Sequence, residues 1–166
     1  MNVKLFDFDR VERHNMSTSI FSLRHIGKKK VDATAESIGM AQNLWLETKN
    51  IRVDAENGAR LLKNAGVVVD CTDNHESRLA VANSCAKNKV PCLRLGMSAD
   101  GMYGRSEWAH LSDAPEDVEG DPCDVAATRN LILLTVAMGI ENLLLYLETE
   151  DYRENEVTLR DLRISP

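Results

Sequence analysis

The sequence predicts an α/β fold in which a mostly parallel sheet carries helices on both faces. The first observation is a run of valines over residues 67–69, which is typical of a short strand buried on both faces of a parallel sheet. The second is that predicted strands and helices alternate along the chain, as they do in β-α-β units. The third is size, because 166 residues with 43% hydrophobic side chains suit one core. We therefore expect a single domain over residues 1–166.

Composition narrows the class of partner. The formal net charge of -6 argues against a nucleic-acid surface, which would need a basic patch. The most apolar segment, residues 131–147, is interrupted by Glu141 and Asn142, so we expect no membrane span. The four cysteines stand singly without a C-x-x-C pair, which signals neither a structural zinc site nor a disulfide framework. Because no signal-peptide pattern opens the chain, these features predict a cytoplasmic protein.

The first predicted strand, residues 3–8, leads into two acidic residues, Asp7 and Asp9. In nucleotide-binding α/β folds, an acid at the tip of the second strand accepts the ribose hydroxyls, a role that needs a carboxylate. A solvated acidic turn after a strand is also common. Both interpretations are open at this point.

A surface helix is predicted next, beginning at Lys28 and carrying the three lysines of Lys28–Lys30 in its first turn. The helix dipole favours negative charge at the start of a helix, so a positive cluster there is unfavourable unless an anion is bound nearby. Phosphate binding by these lysines therefore competes with an ordinary solvated helix face.

The valine strand leads into the polar stretch around which the rest of the chain is organised. Asp70, Asp73 and Asn74 gather at its carboxyl end, and a helix is predicted from His75 to about Asn88. Ligands bind at this edge of open α/β sheets, so a carboxylate there is well placed for a metal ion or a phosphate. The alternative is that Asp73 or Asn74 only caps the helix.

The remaining elements are predicted from periodicity and from turn residues. We expect one or two short strands over residues 43–56, a short helix over 58–65, strands over 90–99 and 102–111, an acidic loop over 113–124, and an edge strand over 156–164. A long helix from Val125 to about Glu148 is apolar around most of its circumference. It should be buried on one side by the sheet and on another by a partner subunit.

With these residues laid out, the chain resembles the ThiF and MoeB adenylyltransferase family, the bacterial relatives of the ubiquitin-activating enzymes. Three motifs in series carry the resemblance: DFDRVERHN at residues 7–15, F-x-x-x-x-I-G-K-x-K at 21–30 and VVVDCTDNHESR at 67–78. The resemblance implies a Rossmann-like fold and a homodimer. It also implies that ATP and Mg²⁺ are bound, and that the C-terminus of a ubiquitin-like or sulfur-carrier protein or peptide is adenylated.

The resemblance also assigns roles to single residues. It implies that Asp7, with Asp9 beside it, receives the ATP ribose and that Asn15 and Lys30 contact the phosphates. It further implies that Asp73 holds Mg²⁺. Lys30 and Asp73 are then the expected catalytic residues, because a lysine at the α-phosphate and a carboxylate-bound magnesium stabilise charge as pyrophosphate leaves.

Two departures from the family pattern bear on activity. The family begins with a strand and a G-x-G-x-x-G turn, whereas this sequence starts at the second strand and has no such motif among its 9 glycines. We therefore expect the first central strand of the sheet to be missing. The second departure is Thr18, which stands where relatives carry a phosphate-contacting arginine.

These departures leave two functions open. The chain is either an adenylating enzyme that works when a phosphate-binding segment from elsewhere completes it, or a catalytically degenerate binding or scaffold subunit. An NAD(P)-dependent oxidoreductase would share the fold class but would need the glycine fingerprint, and it would explain neither Lys30 nor Asp73.

Cys123 is the last candidate residue. It lies in the segment GDPCD just before the long helix, and family members with a catalytic or persulfide-bearing cysteine place it after the adenylation core. A thiol near a helix N-terminus ionises more easily, whereas the neighbouring Asp121 and Asp124 disfavour the thiolate. A catalytic role and a purely structural role are both open.

Overall fold

The computed structural model describes residues 2–16, 19–42, 44–109, 128–160 and 163–165. The chain divides into two compact units, the N-terminal unit Met1–Val53 and the C-terminal unit Asp54–Pro166. Both contain strands and helices, which confirms the predicted α/β class. The single domain over residues 1–166 and the missing first central strand stay predictions.

The N-terminal unit contains a two-stranded parallel sheet and one long helix. Its elements are β1 (Lys4–Phe6), two 3-10 turns (Arg13–Met16 and Leu23–His25), α1 (Lys30–Gln42) and β2 (Glu47–Lys49). Lys4 lies opposite Glu47 in the parallel register, and their side chains form an ion pair of 3.1 Å. Helix α1 packs against β2. The buried side chains of Val11, Val31 and Ala33 form the apolar interior of this unit.

Helix α1 begins at Lys30, so the prediction that three lysines share its first turn is wrong. The reason is backbone pairing before the helix. Gly27 N donates to Val11 O at 2.8 Å, and Val11 N donates to Lys28 O at 2.8 Å. Because Gly27 has a φ of 84°, which favours glycine, the chain can turn there before the helix starts. Only Lys30 therefore occupies the helix start.

The C-terminal unit contains a five-stranded sheet in the order β3-β4-β5-β6-β7. Its elements are α2 (Gly58–Leu61), β3 (Val68–Asp70), α3 (His75–Asn88), β4 (Cys92–Met97), β5 (Tyr103–Trp108), α4 (Thr128–Thr149), β6 (Asn155–Thr158) and β7 (Arg163–Ser165). Strands β3 and β4 are parallel, and the pairs β4–β5, β5–β6 and β6–β7 are antiparallel. With β1–β2, the strands described here form two parallel and three antiparallel pairs, so the pairing is mixed rather than mostly parallel.

Two further predictions for this sheet need correction. The segment predicted as one edge strand over residues 156–164 folds as a hairpin of β6 and β7, in which Val157 lies opposite Ile164. The valine strand is not buried on both faces, because Val69 is 41% exposed. Strand β3 lies at the edge of the five-stranded sheet, where a side chain has fewer neighbours to cover it.

Helix α4 packs on β4, β5 and β6 through one side. The residues buried on that side are Thr128, Leu131, Thr135, Met138, Gly139 and Asn142. Two glycines allow the close approach: a Cβ on Gly104 would lie 2.1 Å from Thr135 Oγ1, and one on Gly139 would lie 2.4 Å from Leu95 Cδ2. Asn142 Nδ2 donates to Ser106 Oγ at 2.9 Å. The buried amide that interrupts the apolar helix thus has a partner on the sheet.

The opposite side of α4 carries a solvent-exposed apolar face that we call the outer stripe. It consists of Leu133, Val136, Ile140, Leu144 and Leu147. These side chains are 44–60% exposed, and their spacing of three or four residues places them on one face of the helix. By length and composition alone, α4 is also apolar enough to cross a membrane, a test that core helices of soluble proteins pass as well. The absence of a membrane partner therefore stays a prediction.

Candidate functional site

The acidic end of β1 and the start of α1 meet in the N-terminal unit. Asp7 Oδ1 accepts a hydrogen bond of 2.8 Å from Asp9 N, and this holds the turn after the strand. Asp9 Oδ2 accepts a hydrogen bond of 2.8 Å from Lys30 Nζ. The backbone repeats the contact, because Lys30 N donates to Asp9 O at 2.8 Å. The structure thus brings together three residues that the sequence predicted for one site: two carboxylates and one ammonium group.

The other lysines of the cluster are engaged differently. Lys28 Nζ donates to Glu36 Oε2, and this hydrogen bond holds the pKa of Glu36 below its usual value. Lys29 forms an isolated backbone bridge with Arg10. The three lysines are therefore not equivalent, and Lys30 is the one beside the β1 carboxylates.

Asn15 lies in the first 3-10 turn, where its side chain holds the local backbone. The residue is 8% exposed, and its Oδ1 accepts a hydrogen bond of 2.9 Å from Glu12 N. Its carbonyl oxygen accepts hydrogen bonds from the backbone N and the hydroxyl of Ser19. This gives Asn15 a structural task in the loop, and its contact with a phosphate stays a prediction. Thr18 lies outside the described residues.

In the C-terminal unit, the turn from β3 to α3 shows which of Asp73 and Asn74 caps the helix and which is left for a ligand. Asn74 Oδ1 accepts a hydrogen bond of 2.9 Å from Ser77 N, so Asn74 caps α3. Asp73 is exposed, and its Oδ1 accepts a hydrogen bond of 3.1 Å from Asn74 Nδ2. The cap therefore does not use the Asp73 carboxylate, which stands at the carboxyl end of β3.

A network of charged side chains contacts this turn through Asp70. Asp70 is 2% exposed, and its Oδ1 accepts from Thr72 N at 3.0 Å and from Thr72 Oγ1 at 2.7 Å. Its Oδ2 lies 3.5 Å from Nε of the buried Arg94, and Arg94 Nη1 lies 3.4 Å from Glu107 Oε1. We call Glu107, Arg94 and Asp70 the buried relay. Sequence reasoning missed it, although an arginine inside a predicted strand was a signal.

Magnesium is the metal that the resemblance implies, and the residues present fit it. Within the described ranges no group of three or more His, Cys, Asp or Glu residues could hold a metal ion. Mg²⁺ is usually bound through one or two carboxylates together with water and substrate phosphates, rather than by a full protein cage. A single exposed carboxylate such as Asp73 is compatible with that kind of site.

The cysteines divide into two groups. Cys123 lies outside the described residues, so its role stays a prediction. Cys71 is exposed at the end of β3, yet desolvation by the surrounding chain and the adjacent Asp70 carboxylate raise its pKa to about 11. Cys85 and Cys92 are buried. No zinc cluster is seen among the residues that the structure describes, and its absence from the whole chain stays a prediction.

Comparison with known proteins identifies the family. Residues 1–116 match the ThiF family. Ubiquitin-like modifier-activating enzyme 5 of Drosophila virilis is 25% identical over 181 aligned residues, which cover 89% of this chain and 45% of that protein. The protein of the same name from Oryza sativa subsp. japonica is 27% identical over 114 residues, which cover 60% of this chain and 27% of that protein. The chain thus spans about half the length, or less, of these relatives.

A solved structure supports the same conclusion at the level of the fold. The crystal structure of E. coli MccB with MccA-N7isoASN superposes with a TM-score of 0.79 at 12% sequence identity. The superposition covers 99% of this chain and 56% of that one, which confirms the predicted Rossmann-like fold. The family match extends over more than half of the 166 residues and includes Asp7, Asp9, Lys30 and Asp73. The chain therefore belongs to the ThiF family.

Proposed function

We propose that this chain supplies the nucleotide-binding part of an enzyme that adenylates the C-terminus of a ubiquitin-like or sulfur-carrier protein or peptide. The observation that carries the proposal is the cluster of Asp7, Asp9 and Lys30 inside the family match. The names of the relatives support it, because the Drosophila protein is a ubiquitin-like modifier-activating enzyme. MccB was solved with a ligand derived from MccA.

Adenylation requires a cation and a carboxylate held at fixed positions. A carboxylate oxygen of the carrier attacks the α-phosphorus of ATP, and the bond from that phosphorus to the pyrophosphate oxygen breaks. Negative charge grows on the phosphate oxygens in this step, and an ammonium group held in place stabilises it. Asp9 orients the Lys30 ammonium group, with Oδ2 lying 2.8 Å from Nζ. Asp7 accepts hydrogen bonds from the ribose hydroxyls.

Asp73 would hold Mg²⁺, which when bound to the phosphates neutralises part of their charge. The role of Asp70 and Asn74 is then to keep Asp73 at the strand end, the first through Thr72 and the second by capping α3. In this proposal Asp73 itself needs only its carboxylate charge.

Exchange of labelled pyrophosphate into ATP tests the proposal. The full chain is assayed with Mg²⁺ and a panel of ubiquitin-like proteins, sulfur carriers and short peptides ending in a free carboxylate. We expect exchange that depends on one of these acceptors and that is lost in Asp73→Asn, which removes charge and keeps shape. The proposal fails if no acceptor supports exchange even after a segment with a strand and a G-x-G-x-x-G turn is supplied, or if Asp73→Asn exchanges at the unchanged rate.

A catalytically degenerate binding or scaffold subunit is the second candidate. Thr18, in place of the arginine that relatives carry, favours it. Isothermal titration calorimetry of the chain with ATP and Mg²⁺ separates the two candidates. Micromolar ATP binding supports the adenylating enzyme, whereas acceptor binding without any ATP binding supports the scaffold.

We also propose that the chain forms a homodimer through the outer stripe of α4. The stripe lies on the side of the helix opposite Leu131 and Met138, which face the sheet. Its spacing of three and four residues suits packing against a second helix. A cytoplasmic location, the absence of nucleic-acid partners and a thioester or persulfide on Cys123 stay predictions.

A further inference from the structure

A cavity of about 420 Å³ lies in the C-terminal unit, at the amino end of β4. Pro91 and Cys92 belong to its wall, and Cys92 is the first residue of β4. Because β4 pairs in parallel with β3, with Cys92 opposite Val68, the cavity also lies towards the amino end of β3. Asp73 follows the carboxyl end of β3. The cavity is therefore separate from the candidate magnesium site.

The wall of the cavity is mostly apolar and partly aromatic. Trp108 and Tyr152 line it, with their ring centroids 4.9 Å apart. Trp108 is 4% exposed, and its Nε1 donates to Arg153 O at 3.1 Å, which fixes the indole ring. Ala82 and Ala86 of α3 also line the cavity, and their small side chains leave room beside the rings. Because ligand pockets of about 300–1,000 Å³ hold small molecules, this cavity suits a small compound with an apolar body.

Lys89 gives the cavity a positive charge. It is the one charged residue among the described residues of the wall. The backbone fixes its position, because Lys89 is the C-cap of α3 with a φ of 55°, and its N donates to Ala86 O at 3.1 Å. None of the ion pairs seen in the described ranges involves Lys89. An ammonium group beside an apolar wall favours a ligand that brings a carboxylate, since hydrogen bonds between charged groups are strong.

We propose that this cavity binds a small carboxylate that carries an aromatic body. The body lies against Trp108 and Tyr152, and the carboxylate accepts a hydrogen bond from the Lys89 ammonium group. Covering the aromatic body removes apolar surface from water, which favours binding. Pairing with Lys89 selects the carboxylate over a neutral compound of the same shape. The site needs neither ATP nor an acceptor, so it is independent of the proposed adenylation.

Equilibrium dialysis of the full chain at neutral pH tests the proposal. The probe is 4-phenylbutyrate, and its neutral counterpart is 4-phenylbutan-1-ol. We expect saturable binding of the carboxylate and binding of the alcohol that is weaker by about tenfold, because the alcohol cannot pair with the ammonium group. The chain has two tryptophans, of which Trp45 is 82% exposed. In Trp45→Phe the remaining indole N–H signal in the NMR spectrum belongs to Trp108, and it should shift as the carboxylate binds.

Variants test the two parts of the wall separately. Lys89→Gln should weaken binding of the carboxylate to the level of the alcohol and leave the alcohol unchanged, whereas a merely structural role of Lys89 would affect both compounds alike. Lys87→Gln is the matched control, because Lys87 is exposed and lies outside the wall, and it should leave the ratio unchanged. Ala86→Leu should fill the cavity and abolish binding of both compounds.

Three results would overturn the proposal. The first is wild-type chain that shows no saturable binding of the carboxylate at millimolar concentration, or that binds the alcohol as tightly. The second is an equal change of the carboxylate-to-alcohol ratio in Lys87→Gln and Lys89→Gln. The third is unchanged binding in Ala86→Leu, which would place the probe elsewhere on the chain. The comparison of the two compounds on wild-type chain decides even where a variant fails to fold.

Discussion

At the scale of single residues, the ion pair with Asp9 distinguishes Lys30 from Lys29. Lys30 Nζ lies 2.8 Å from Asp9 Oδ2, whereas Lys29 is held through its backbone by Arg10. We expect Lys30→Ala to lower pyrophosphate exchange on the order of a hundredfold, because the phosphate loses a positioned cation. Lys29→Ala should change it by less than about twofold, since an unpositioned surface charge is screened by salt. Equal losses in both variants would indicate a diffuse electrostatic patch instead.

Removal of the buried Arg94 should destabilise the chain strongly. Arg94 is buried between Asp70 and Glu107, so Arg94→Leu leaves a buried carboxylate without its cation. We expect a loss of about 3–5 kcal/mol in the free energy of unfolding, measured by urea denaturation. Arg105→Leu is the matched control, because Arg105 is 44% exposed in the next strand and its ion pairs should contribute about 1 kcal/mol or less.

The double variant Arg94→Leu with Asp70→Asn then tests the cause. Since neutralising Asp70 removes the buried charge, part of the lost stability should return. A double variant that is less stable than Arg94→Leu by the full additive amount would show that the buried relay is not one coupled unit.

At the scale of elements, the approach of α4 to the sheet depends on Gly104. A Cβ there would meet Thr135 Oγ1 at 2.1 Å and side-chain carbons of Leu131 and Val157 at 3.2 Å. We expect Gly104→Ala to destabilise the chain by about 1–3 kcal/mol through overpacking. Gly96→Ala is the control on the neighbouring strand, because a Cβ at Gly96 meets nothing within 4 Å.

Combining Gly104→Ala with Thr135→Ala removes the atom that the new methyl group would strike. Urea denaturation of the double variant should show that most of the loss caused by Gly104→Ala is recovered. If the single glycine variant is as stable as Gly96→Ala, the helix does not pack as closely on β5 as the structure indicates.

Helices α3 and α1 show how well a local sequence pattern predicts the bounds of an element. Helix α3 is predicted over His75 to about Asn88 and is found over those residues. The capping residue Asn74 marks its start, and the helical pattern then continues without interruption to Asn88. Helix α1 starts later than predicted, because backbone pairing of residues 28 and 29 with residues 10 and 11 overrides the helical pattern. That pairing joins segments distant in sequence, so no local signal announces it.

At the scale of the whole molecule, the outer stripe predicts the oligomeric state. Burying it removes apolar surface from water at roughly 25 cal/mol per Å², which favours association. We expect sedimentation at micromolar concentration to show a dimer that Ile140→Glu dissociates. Asn64→Glu, which adds the same charge at an exposed position outside α4, should leave the dimer intact. A wild-type monomer at that concentration would contradict the proposed interface.

The sequence by itself determined the α/β class, the positions of most strands and helices, and the candidate residues Asp7, Asp9, Lys30 and Asp73. Strand and helix periods are local properties, and the motifs that carry these residues are contiguous. Tertiary structure decided that Asn74 caps α3, because only the backbone shows which side chain reaches Ser77 N.

Tertiary structure also decided the buried relay and the two sides of α4. Arg94 and Glu107 lie opposite each other through the register of β4 and β5, and a register depends on how two strands pair rather than on either strand alone. Helix α4 is apolar around most of its circumference, so its sequence favours no single side. The side with Thr135, Gly139 and Asn142 packs on the sheet, because small residues allow close packing and the Asn142 amide donates a hydrogen bond to Ser106.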